Sequence, residues 1–141
     1  MAVLLEKNFP VEAGAYTTAG EASTTIKRTL KQLGVTADVL RHVSVACYEV
    51  ELNLVIHSLG GTLTLQVEPD KVTLISKDVG PGIPDIEKAM TEGFSTANEE
   101  ARTLGFGAGM GLPNMKRYSD TFGIDSVVGQ GTTIELGFEN R

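Results

Sequence analysis

At 141 residues, 41% hydrophobic and 21% charged, the chain has the size of one domain with a sizeable core, and its composition excludes a disordered polymer. A formal net charge of −6 speaks against non-specific nucleic-acid binding, and the single cysteine, Cys47, excludes an internal disulfide and leaves no Cys/His cluster for zinc. No apolar run is long enough to cross a membrane and no basic, apolar leader opens the chain, so a cytoplasmic protein without a membrane or nucleic-acid partner is expected.

Ala2 to Phe9 alternates apolar and polar residues and reads as a strand that Pro10 ends. After a loop, Ala19, Ala22, Ile26, Leu30 and Leu33 recur at three- and four-residue steps, which predicts an amphipathic helix stopped at Gly34. Its outer side carries Lys27, Arg28 and Lys31. Thr36 is the N-cap for a long helix over about Asp38 to Ser58, which Gly60-Gly61 closes. Leu63, Leu65 and Val67 then alternate with Thr62, Thr64 and Gln66 in a half-buried strand. Pro69-Asp70 turns the chain into an antiparallel partner over Val72 to Lys77.

Ile83 to Met90 reads as a short helix with Ile86 and Met90 facing inward, and the polar run ANEEARTL reads as a loop. A helix follows Gly111, with Pro113 in its first turn and Leu112, Met115, Ser119 and Phe122 on its inner face. Asp125–Val128 and Thr132–Phe138 close the chain as a hairpin about Gly129-Gln130-Gly131, with Thr132, Ile134, Leu136 and Phe138 on one face. This order predicts an α+β fold: one domain over residues 1–141, a two-layer sandwich of a mixed, mostly antiparallel sheet with helices on one face.

The long helix organises the rest. Glu49, Asn53 and His57 recur in it every fourth residue, and at about 100° per residue they form one file. Val39, Val43, Cys47, Val50 and Leu54 make an apolar stripe on one side of that file; Val45, Leu52, Val55, Ile56 and Leu59 make another. A carboxylate and an amide in such surroundings need partners. Caps on neighbouring loops or a wet groove would serve; so would a metal ion and a phosphate.

Further on, Gly105, Gly107, Gly109 and Gly111 fall at every second position before a helix. Such spacing lets backbone pass close to a ligand and offers the helix N-terminus to phosphate. No Gly-Lys-Ser/Thr follows, so the segment is not a Walker A loop, and no parallel βαβ unit surrounds it. Asp78 ends a strand just before Gly80-Pro81-Gly82; it is either a turn residue or a carboxylate placed to read an exocyclic amine. Asparagine oxygen suits Mg²⁺, and a carboxylate four residues before it is placed to polarise a hydroxyl near a terminal phosphate.

Glu49-x-x-x-Asn53-x-x-x-His57, Asp78-x-Gly80-x-Gly82, GFGAGMGL and Gly131-Thr132, in this order, resemble the Bergerat-fold (GHKL) ATPases, also known as histidine-kinase-like ATPase domains. Within them, GPGIPDIEKAMTEGFST and GAGMGLPNMKRYSDTFGIDSVVGQGTTI resemble the small anti-sigma-factor serine/threonine kinases, and among those the stressosome switch kinases. The likeness runs from Val43 to Phe138. It implies ATP and Mg²⁺, with Asn53 on the metal and Glu49 orienting or deprotonating the attacking hydroxyl. It implies Asp78 and Thr132 at the adenine amine, Gly80 and Gly82 near the base, and Ile83 and Ile134 packed on it. Gly105, Gly107, Ala108, Gly109, Met110, Gly111 and Leu112 would wrap the phosphates. Residues from Ser95 and Thr96 to Gly109 would form a lid, from which Arg102 could reach the γ-phosphate; His57 would be structural. The sequence departs from its relatives at Leu54, where they often carry a small residue, and in the length of the lid.

The implied function is an ATP- and Mg²⁺-dependent protein serine kinase. It would phosphorylate a STAS-domain antagonist protein and switch partners with a sigma factor or another downstream regulator, with a homodimer in keeping with the family. Two other functions stand beside it: a nucleotide-dependent anti-sigma binding switch with little catalysis, and a detached histidine-kinase ATPase domain. The second ranks lower because no helix pair with an exposed phosphoacceptor histidine is visible.

Overall fold

The computed structural model of the chain describes residues 5–14, 18–57, 60–80, 90 and 111–139, with the side chains of Ile56 and His57 outside that set. The elements are β1 (Leu5–Val11), α1 (Glu21–Gln32), α2 (Ala37–His57), β2 (Gly61–Glu68), β3 (Lys71–Asp78), α3 (Gly111–Tyr118), β4 (Thr121–Val127) and β5 (Gly131–Glu139). The strands form one sheet in the order β1-β2-β3-β5-β4, and every neighbouring pair is antiparallel. The expected α+β sandwich is therefore present, with a sheet that is wholly antiparallel among the described strands. No helix of the described residues is long and apolar enough to cross a membrane.

Alternation along the strands fixes which face is buried. Leu63, Leu65 and Val67 of β2, Val72 and Leu74 of β3, and Ile134, Leu136 and Phe138 of β5 point inward and are at most 2% exposed. On the β1–β2 pair the polar alternates form a solvent-side ladder: Thr64 Oγ1 donates to Asn8 Oδ1 at 2.7 Å and Gln66 Nε2 donates to Glu6 Oε1 at 2.7 Å. Helix α2 lies against β1, β2, β3 and β5, and both α1 and α3 pack on it. Its Val39, Val43, Ala46, Cys47, Val50, Leu54 and Val55 are buried. Ile26 and Leu30 of α1 and Leu112 and Met115 of α3 complete the core.

Three expected boundaries move, among them the strand expected over Asp125–Val128, which begins at Thr121 and ends at Val127. Strand β1 does not stop at Phe9: it runs through Pro10, opposite Thr62, to Val11. β1 is an edge strand, where a residue without an N–H costs no ladder bond. At the other end, α3 stops at Tyr118, so Ser119 and Phe122 do not belong to its inner face. Phe122 and Ile124 alternate instead along β4, opposite Leu136 and Ile134. Asp120 ends the helical segment by joining the sheet: its N–H donates to the Gly137 carbonyl at 2.8 Å, and its carboxylate accepts from Glu139 N–H at 2.7 Å. Met90 packs against the core as expected; the rest of the expected helix over 83–90, and the loop over 97–104, lie outside the described residues.

Phe138 is 2% exposed and stands among the largest buried side chains. Phe138→Ala is expected to cost about 3–5 kcal/mol. Urea unfolding should show a lower midpoint at unchanged slope.

Candidate functional site

Glu49 and Asn53 lie on one face of α2, both half-buried. Glu49 faces α3, where the Asn114 amide hydrogen-bonds its carboxylate. Burial pushes the Glu49 carboxyl above its usual range, and the Asn114 bond draws it part of the way back. Asn114 was not among the expected site residues. In GLPNMKRY it falls between the inward Leu112 and Met115, which gives no hint of a polar partner across the helix pair.

The second part of the site is the end of β3. Asp78 Oδ1 accepts from the Thr132 backbone N–H at 2.8 Å, and Oδ2 has no hydrogen bond among the described residues. Burial raises the Asp78 carboxyl and the Thr132 bond lowers it. Thr132 is itself buried, and its hydroxyl lies 2.8 Å from Ser126 Oγ. Two glycines hem the aspartate in. A Cβ on Gly61 would overlap the Lys77 carbonyl oxygen and stand 2.9 Å from Asp78 Cα; one on Gly131, at φ +147°, would overlap the Asp78 carbonyl oxygen and stand 3.1 Å from Oδ1. The strand ends are tied further by Val79 N–H to the Gly60 carbonyl at 3.0 Å and Gly80 N–H to the Gln130 carbonyl at 3.3 Å.

Leu54 joins the two parts. It follows Asn53, is fully buried, and its Cδ2 would lie 3.0 Å from a Cβ on Gly61, the residue paired with Asp78. The bare backbone of Gly61 leaves room for this large side chain. Ile134 is 1% exposed and sits in the sheet core opposite Ser76 and Ile124. Leu112 and Gly111 begin α3. Gly82, Ile83, Ser95, Thr96, Arg102, Gly105, Gly107, Ala108, Gly109 and Met110 lie outside the described residues, as does the side chain of His57.

The described residues hold no group of three or more His, Cys, Asp or Glu that could bind a metal by itself. Asn53 and Glu49 offer hard oxygens four residues apart on one half-buried face. That donor set fits Mg²⁺, which keeps several waters and shares phosphate oxygens.

The deepest carboxylate of α2 is one that the sequence pattern did not single out. Glu51 is 2% exposed, and its oxygens accept from Gly20 N–H at 2.9 Å, Ala22 N–H at 3.2 Å, Ser23 N–H at 2.9 Å and Ser23 Oγ at 2.6 Å. These are the donors that the first turn of α1 leaves unpaired, and its N-cap, Gly20 at φ +102°, has no side chain to meet them. The signal was there: Glu51 falls between Leu54 and Val55 on the buried arc, while Val45 and Leu52 of the second apolar stripe are only half-buried. Cys47 lies beside this network. Burial and the Glu51 charge push its thiol up, against the pull of Ser23, to about 12, so it stays protonated and inert, in keeping with a packing role.

Residues 38–141 match the family described as histidine kinase-, DNA gyrase B-, and HSP90-like ATPase. Over 110 residues the chain is 37% identical to the serine/threonine-protein kinase RsbT of Bacillus subtilis (strain 168), covering 74% of this chain and 76% of that one. Over 120 residues it is 32% identical to an anti-sigma F factor of Thermoanaerobacter sp. (strain X514), covering 82% and 80%. A chain in the crystal structure of the SiaB-SiaC complex from Pseudomonas aeruginosa shares the fold, with a TM-score of 0.62 at 13% identity, over 96% of this chain and 89% of that one.

The raised carboxyls give a signed pH dependence. A carboxyl whose folded value lies above its unfolded value contributes stability below the unfolded value, near 4.5 for Glu49 and 3.8 for Asp78, and loses it as pH rises through the folded value. Glu49→Gln keeps the shape without the buried charge, so it is expected to be more stable than the parent at pH 7, with the gap closing toward pH 4. Urea midpoints at the two pH values check this. Gly131→Ala is expected to lower stability by more than about 1 kcal/mol, because strained backbone and overlap with Asp78 add; thermal unfolding measures it.

Proposed function

The chain belongs to the histidine kinase-, DNA gyrase B- and HSP90-like ATPases and, among them, to the anti-sigma serine/threonine kinases, and from that premise we propose that it phosphorylates a serine of a STAS-domain antagonist protein. ATP is the phosphate donor. The observation that carries the reading is Glu49: a half-buried carboxylate, raised by its surroundings and aimed by Asn114. A base of that kind works best when its proton affinity approaches the working pH.

In the proposed reaction the substrate serine loses its proton to the Glu49 carboxylate as its oxygen bonds to the γ-phosphorus. The bond from that phosphorus to the bridging oxygen of ADP breaks, and ADP leaves with the electron pair. Asn114 holds the Glu49 carboxylate during this transfer. Asp78 Oδ2 accepts from the adenine amine while Oδ1 stays on Thr132, and the bare backbone at Gly61 and Gly131 keeps Asp78 close to the base. Ile83 and Ile134 flank the base, with Gly80 and Gly82 giving it access to backbone. Gly105, Gly107, Ala108, Gly109, Met110, Gly111 and Leu112 are assigned to the phosphates, and Ser95 and Thr96 to the same nucleotide site, on the family resemblance. Asn53 would hold Mg²⁺, which when bound would supply charge neutralisation for the transferring group.

The likeness to an anti-sigma F factor supports a second activity of the same site: the bound nucleotide also governs the grip on a sigma factor or another downstream regulator. The two are separable. Glu49→Ala is expected to lower transfer from [γ-³²P]ATP to the STAS protein by about 10²- to 10⁴-fold, with ATP affinity kept. Transfer at the parental rate would remove Glu49 from the mechanism. Asp78→Asn is expected to weaken ATP binding and shrink the preference for adenine over guanine nucleotides, read by calorimetric titration.

A further inference from the structure

Glu51 has no part in the reaction just described, yet its carboxylate accepts four hydrogen bonds. It sits two residues after Glu49 and two before Asn53. At about 100° per residue, that places it roughly opposite the Glu49–Asn53 file on the α2 barrel. Its four bonds all run to one place, the first turn of α1, from Gly20 to Ser23.

At this point the polar bonds of Glu51 add to the apolar packing of α1 on α2. A cavity of about 500 Å³ opens beside the junction, between Pro10 and Val11 of β1, Glu21 and Ala22 of α1, and Glu51 and Val55 of α2. A carboxylate bonded through both oxygens to three backbone N–H groups and a hydroxyl opposes a turn of α2 about its axis on this side, because N–H groups on a helix terminus converge from fixed directions. A small turn of α2 would swing Glu49 and Asn53 by the same angle on the far side, and Glu49 would leave Asn114.

We infer, on the reading of Glu49 and Asn53 given above, that Glu51 is a positioning residue: by bonding the first turn of α1 it sets the roll of α2 and so holds Glu49 against Asn114 in the site. Ser23 is its partner in this, through the short 2.6 Å bond from its hydroxyl. Glu51→Gln replaces a group that only accepts with one that has a single accepting oxygen and an NH₂ facing backbone donors, at equal size. The grip is lost with no cavity made.

The test has a spectroscopic arm that needs no nucleotide and a kinetic arm. In ¹H–¹⁵N spectra of the full chain, the side-chain amide of Asn114, assigned by its loss in Asn114→Asp, reports its bond to Glu49. That signal is expected to move in Glu51→Gln, and by less in Ser23→Ala, while the distant Asn8 amide stays in place. In transfer from ATP to the STAS protein, kcat of Glu51→Gln is expected to fall about 10- to 100-fold, with KM for ATP within about threefold of the parent. Should Glu51→Gln not fold, the Ser23→Ala shift decides. An unmoved Asn114 signal in whichever of the two variants is folded overturns the proposal. So does a loss in which kcat and nucleotide affinity fall by the same factor, the mark of general loosening. If the parent chain transfers no phosphate, the kinase reading fails by itself and the Asn114 signal still decides the role of Glu51 on the roll of α2.

Discussion

A carboxylate can be kept inside a protein only where donors come to meet it, and α2 meets that condition at Glu51. The first turn of α1 has N–H groups without helical partners and a glycine at its cap; Glu51 arrives from the neighbouring helix with two oxygens that accept from three of them and from the Ser23 hydroxyl. Each side removes the other's desolvation cost. The same bonds give α1 a fixed place and α2 a fixed roll. With those set, the apolar arc of Val43, Cys47, Val50 and Leu54 is buried, and the half-buried Glu49 and Asn53 lie on the other side, where Glu49 meets Asn114 of α3.

That division lets one helix serve as core and as site. Its buried side carries the hydrophobic free energy, at about 25 cal/mol for each Å² of apolar surface removed from water. Its other side keeps Glu49 in partial burial, which raises the carboxyl, while its amide partner Asn114 draws it part of the way back. Asp78 follows the same logic at a strand end. Gly61 and Gly131 let three strands close tightly around it, Thr132 N–H satisfies one oxygen, and the second has no hydrogen bond among the described residues. Leu54 ties the two regions, packing from α2 toward the glycine paired with Asp78.

Much of this was legible in the amino-acid sequence, because it rests on local periodicity. The alternation of Leu63, Leu65 and Val67, the face of Thr132, Ile134, Leu136 and Phe138, and the stripe from Val39 to Leu54 are all buried as their spacing implies. The misreadings come from tertiary context. Pro10 is tolerated because β1 lies at an edge; Phe122 leaves the helical pattern because Asp120 is captured by β5. Glu51 and Ser23 meet across 28 residues of sequence and Glu49 and Asn114 meet across two helices, pairings that no window of one element contains. Glu51 in particular looks, by residue type alone, like a solvated charge on the wrong side of a site helix.

The central claim is that an adenine nucleotide lies between the Glu49–Asn53 file and Asp78. It is tested most directly by the unfolding midpoint of the parent chain with Mg²⁺ and either ATP or GTP at the same concentration. At about 100 to 1,000 times its dissociation constant, ATP should raise stability by about 3–4 kcal/mol, and GTP by far less, because its base presents an oxygen where Asp78 requires a donor. Equal shifts with the two nucleotides, or none with either, would contradict the account.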